Sequence, residues 1–132
     1  MHRLFTVLLL AWAVFAFAPS TASARLAPVE NVDSAPISVQ ISEDKVEKAI
    51  VLACVERGWK AQVLGPGVIE ARLDIRTHVA IVTIQFDSTH FSIQYKDSEN
   101  LNYRDGKIHP NYNKWVKNLE RSIQKQIIVL SA

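Results

Sequence analysis

The stretch that most constrains this 132-residue chain lies near its end. Tyr112, Trp115, Val116, Leu119, Ile123, Ile127 and Leu130 fall on one arc at 100° per residue. Lys114, Lys117, Arg121 and Lys125 gather on the opposite side. Pro110 suits the first helical position, and His109 before it is held extended. A helix so polarised has to lay its apolar arc on something. The residues upstream are patterned to receive it.

Ser42 reads as an N-cap, with Glu43 and Asp44 in the first turn, where the helix dipole favours negative charge. The helix it opens runs to about Arg57 and meets Gly58, a C-terminal glycine cap. Val46, Ala49, Ile50, Ala53 and Cys54 mark its inner face. Val51, Leu52 and Val55 lie largely opposite, so this helix is expected to be covered on two sides, by sheet and helix or by a second copy of the chain.

From Trp59 the period changes to two. Trp59, Ala61 and Val63 share one side of a strand that ends at the turn Gly65-Pro66-Gly67. Ile69, Ala71, Leu73 and Ile75 alternate with Glu70, Arg72, Asp74 and Arg76, giving one dry and one wet face. The apolar parity then switches to Ala80, Val82, Ile84 and Phe86, which requires a reversal or bulge at Arg76-Thr77-His78. Val79 and Ile81 are apolar too, as in a central strand. After Asp87-Ser88-Thr89-His90 the odd parity returns with Phe91, Ile93 and Tyr95, and Arg104-Asp105-Gly106-Lys107 is a turn by composition. The expected fold is α+β: a two-layer sandwich of helix, antiparallel meander of three to four strands, and C-terminal helix, as one domain over residues 42–132.

Residues 1–24 have the parts of an export signal: His2 and Arg3, an apolar run from Leu4 to Ala18, and the small-residue triplet Ala22-Ser23-Ala24. The run is shorter than the roughly 20 residues that cross a bilayer. Cleavage after Ala24 is expected, leaving 108 residues with no transmembrane segment, in the periplasm or secreted. Residues 25–41, with Pro28, Pro36, Asn31 and Asp33, read as a flexible leader whose end, Ile37–Ile41, alternates like a short strand. One cysteine allows no internal disulfide. Without the signal, 14 basic residues face 13 acidic ones, a balance that gives no case for nucleic acid.

Little in the chain suggests catalysis. His78 and His90 flank one strand and should stand on the order of 25 Å apart, too far to share a metal. No His-x-x-x-His or Cys-x-x-Cys spacing occurs, so no metal or cofactor is expected. Cys54 lies within an apolar helix, where a thiol has no base. Glu70 and Asp74 have Arg72 between them and are explained by charge pairing. Gly65-Pro66-Gly67 lacks the following helix that a phosphate-cradling loop needs.

Two binding candidates remain. One is the polar, aromatic segment before the last helix, with Tyr103, Arg104, His109 and Asn111 as its site residues; helix capping and loop stapling account for the same residue types. The other is the basic stripe Lys114, Lys117, Arg121 and Lys125, suited to lipid head groups or acidic polymers and equally to solvation. A non-enzymatic binding module for an envelope partner or small ligand, monomeric or weakly dimeric, is the leading expectation. The alternatives are a small hydrolase or transferase around Tyr103 and His109, and a self-associating structural protein.

The run Tyr112, Asn113, Trp115, Asn118 and Leu119, preceded by Leu101-Asn102-Tyr103 and Gly106-Lys107-Ile108-His109, resembles a family of small exported bacterial proteins and lipoproteins of uncharacterised function. In those proteins a Tyr-Asn-x-Trp-x-x-Asn-Leu helix start closes a short α+β domain. The resemblance covers roughly the final third of the exported part and implies an envelope location and a compact fold; it assigns no activity. This chain departs from the lipoprotein members in having no cysteine to carry a lipid.

Overall fold

The structure is a computed structural model describing Ala13 and residues 25–132. The expected export signal therefore falls outside the described residues, Ala13 apart. Seven strands and two helices follow in the order β1 (Ala27–Pro28), β2 (Val32–Pro36), α1 (Glu43–Glu56), β3 (Lys60–Gly65), β4 (Val68–Ile75), β5 (His78–Phe86), β6 (His90–Glu99), β7 (Lys107–Ile108) and α2 (Asn111–Ser131). The class is α+β. β3 to β6 form the expected meander, and β2 adds a fifth strand in the order β2-β6-β5-β4-β3.

The turns follow their residues. Pro66-Gly67 reverses β3 into β4 with Gly67 at φ +74°. A Cβ at Gly67 would lie 2.9 Å from the Phe86 carbonyl oxygen, so glycine is required twice over, by conformation and by space. The parity switch resolves as a two-residue reversal, with Ile75 opposite His78 and Arg76 at φ +56°. Lys96 is the extra residue of a bulge, since Ile81 faces Asp97 while Val82 faces Tyr95.

Ile69, Ile84 and Ile93 form one cross-sheet row, and Ala71 and Val82 the next; all are buried. Val46, Ala49, Ile50, Ala53 and Cys54 of α1 join them in the core, as do Tyr112, Val116, Leu119, Ile123 and Ile127 of α2. Ser42 caps α1, its Oγ accepting from the Lys45 amide. Glu43 at the start of α1 lies by Gly67, whereas Trp59 just beyond its end donates its amide to the Cys54 carbonyl. α2 begins at the other end of the sheet, with Trp115 near His78, and lays Ile127 beside Phe91. The two helices thus run in opposite senses over one face of the sheet.

Two expectations need correction. Residues 25–41 are not a loose leader. Ala35 pairs with Phe91 and is buried, Val32 pairs with Ile93, and Ala27 pairs with Ile108. The strand falls at Val32–Pro36 rather than Ile37–Ile41, because β6 otherwise has a bare edge and an edge tolerates Pro36. Nor is the wide apolar arc of α1 wholly covered within the chain. Val51 packs partly on the core, but Leu52 is 39% and Val55 69% exposed.

Candidate functional site

The segment between β6 and α2 is built around a tight hairpin. Asp105 and Gly106 take φ +51° and +74°, the pair of positive values that a two-residue type I′ turn requires. Arg104 and Lys107 exchange both backbone hydrogen bonds across it, each 2.9 Å. Side chains of opposed residues in an antiparallel pair leave the same face, so two cations stand side by side. Both are exposed, and neither belongs to any of the three ion pairs among the described residues. The hairpin is anchored through Val29, whose amide donates to the Gly106 carbonyl, and through the pairing of β7 with β1.

Tyr103 precedes the hairpin and stacks on Tyr95, centroids 4.3 Å apart and planes 20° from parallel. Tyr95 in turn meets the edge of Tyr112, centroids 5.6 Å apart. Tyr112 is fully buried and burial pushes its phenol well above the usual tyrosine value, so it is a core residue. Tyr103 remains 47% exposed and offers ring surface to solvent beside Arg104.

His109 belongs to a different cluster. Its Nδ1 accepts the Asn111 amide at 3.1 Å, satisfying one orphan donor of α2 and leaving Nε2 as the protonated nitrogen of a neutral ring. Its ring lies 6.5 Å from His78, which is 6.4 Å from Trp115. His78 Nδ1 donates to the Asn100 carbonyl at 2.7 Å. Tyr103 and His109 are thus held by separate aromatic neighbours, and neither lines the cleft at the Glu43 end of the sheet. Asn111 enters this cluster through its backbone.

The basic stripe lies on the solvent face of α2, with all four side chains exposed. It is not uniform: Lys125 is paired with Glu56 of α1, and Gln126 donates to the same carboxylate. These partners hold the Glu56 carboxyl below the usual range. Nearby, Arg57 Nε donates to the buried Ser122 Oγ at 2.7 Å.

Elsewhere, Cys54 is buried and desolvation pushes its thiol up to about 12, so it has almost no thiolate at neutral pH. A cleft of about 330 Å³ at the end of the sheet near Glu43 has Asp87 and His90 on its wall. Asp87 is occupied there, accepting from the Thr89 amide, the Thr89 hydroxyl and the His90 amide. Among the described residues no three His, Cys, Asp or Glu side chains come together as metal ligands would, and no helix is long and apolar enough to cross a membrane. Comparison with protein-family models, curated proteins and solved structures finds no match.

Sequence reasoning singled out Arg104 and overlooked Lys107. The signal was present: Asp-Gly is the favoured centre of a type I′ turn, which sets its flanking residues opposite one another. Periodicity marks Tyr95 only as a strand residue, and its stacking with Tyr103 depends on how the chain returns after Leu101.

Proposed function

We propose that this chain is an exported, non-enzymatic binding module of the cell envelope, periplasmic or secreted, whose Arg104–Lys107 hairpin and Tyr103 ring contact an anionic envelope component. The observation that carries this reading is the like-charged pair. Placing two cations opposite each other works against the hairpin's own stability, and neither belongs to an ion pair among the described residues. Their positive potential is directed outward, where an anion would be drawn to it. The tight turn also fixes the backbone from which both side chains project, so binding has only the side chains left to order. Tyr103 adds an amphipathic ring to the same surface.

The test offers the purified protein two anionic probes, polygalacturonate and vesicles containing phosphatidylglycerol, with dextran and phosphatidylcholine vesicles as neutral controls. Salt-sensitive binding to an anionic probe is expected, with the probe that binds identifying polymer or lipid. Arg104→Ala combined with Lys107→Ala should weaken it about tenfold or more without lowering thermal stability. Lys117→Ala with Arg121→Ala should leave it nearly unchanged. Loss of binding in the helix variant alone would move the surface to the basic stripe, and absence of binding to both anionic probes would refute the reading.

A further inference from the structure

The two edges of the main sheet are unlike. β2 is poorly suited to accept another strand: Pro36 has no amide to donate, Asp33 is charged and exposed, and pairing with β6 is interrupted between Val32 and Ala35. β3 shares one of these devices, a register shift in its pairing with β4 between Val63 and Gly65, and lacks the other two over its last four residues. Between Lys60 and Gly65 there is no proline and, after Lys60, no charge. Val63 is 48% and Leu64 52% exposed. α1, which packs beside β3, leaves Leu52 and Val55 uncovered. Four of the seven large hydrophobic side chains exposed among the described residues therefore lie on two adjoining elements. An open backbone edge beside apolar side chains calls for an extended strand of neutral and apolar residues.

We infer that β3 pairs antiparallel with β3 of a second copy, joining the two sheets across a two-fold axis. The strand fits itself. To keep the helices of both copies on one face, opposed residues have to share parity. Centring the axis on Val63, the last residue before the register shift, sets Val63 against its copy. α1 runs opposite to β3, so the two-fold brings the acidic first turn of one α1, Glu43 and Asp44, toward the Lys60 end of the other copy. Because β2 is blocked, pairing at β3 closes after one step and yields a dimer rather than a fibre. The hairpin at Arg104–Lys107 adjoins β1 and α2, away from β3, so each dimer carries two such hairpins clear of the seam.

Sedimentation velocity on the purified protein, from dilute to concentrated solution, should give a dimer whose affinity falls at least tenfold in Val63→Lys with Leu64→Lys. Both side chains are half exposed, and an unchanged circular dichroism spectrum would confirm folding. Val63→Cys should form a covalent dimer on oxidation, since opposed antiparallel residues have Cα atoms about 4.5–5.5 Å apart, within disulfide reach. Val129→Cys should not. A monomer at every concentration would overturn the inference, as would a dimer that survives the lysine substitutions.

Discussion

Gly67 and Gly106 share a backbone angle but not a neighbourhood. Both have φ +74°, which costs a side-chain-bearing residue about 1–2 kcal/mol. A Cβ on Gly106 would meet nothing within 4 Å, whereas on Gly67 it would press on the Phe86 carbonyl. That carbonyl belongs to a residue whose own amide donates to the Gly67 carbonyl, so the turn cannot move away without losing a hydrogen bond. Gly106→Ala is expected to cost about 1 kcal/mol and Gly67→Ala about 3 kcal/mol. Urea unfolding of the two variants checks the order; equal costs would show that the turn at Gly67 relaxes freely.

Among the elements, β1 and β2 depend most on a single side chain. Asn113 in the first turn of α2 accepts the Glu30 amide on Oδ1 at 3.0 Å and donates from Nδ2 to the Pro28 carbonyl at 2.9 Å. It thereby substitutes for the strand partner that residues between β1 and β2 lack. Asn31 plays a similar part, its Oδ1 accepting the Tyr95 amide where the bulge interrupts β6. Asn113→Ala should free residues 28–32 while leaving the meander and helices intact. Hydrogen exchange is the measurement: amides Val29 to Val32 should exchange at least tenfold faster, and those of β5 should be unchanged. Equal acceleration in both would mean that the leader and sheet open as one unit.

At the scale of the whole molecule, three surface carboxylates held below their usual range set the response to acid. Asp87 is lowered by the Thr89 and His90 amides, Asp74 by the Arg72 guanidinium, and Glu56 by Lys125 and Gln126. Each binds its proton more weakly folded than unfolded. Their contribution is present above the usual carboxylate range and is lost as pH falls through the lower folded values. Thermal stability should therefore decline below about pH 4. All three groups lie at the surface, so the loss should be modest; added salt should shrink the part due to Asp74 and Glu56 more than that due to Asp87, which rests on hydrogen bonds. A melting temperature unchanged down to pH 3 would contradict this.

Periodicity made much of the fold legible. The arc from Tyr112 to Ile127, the alternation of β4 and the parity switch before β5 are local patterns, and local geometry decides which residues share a face. Ser42, Gly58 and Gly67 announced their caps and turn because each satisfies a backbone need of its own neighbourhood. What periodicity could not supply were partners distant in sequence. That residues 25–36 complete two sheets depends on β6 having an open edge and on Asn113 facing it. The site was half legible for the same reason: Tyr103 and Arg104 stand out by type, but Tyr95 beneath the one and Lys107 beside the other are assigned by stacking and by a turn. Composition and period thus determine the elements and their inward faces. Which edge stays open, which charges stay unpaired and which aromatic rings meet are decided by the tertiary structure, because contacts between sequence-distant groups depend on how all the elements close around one core.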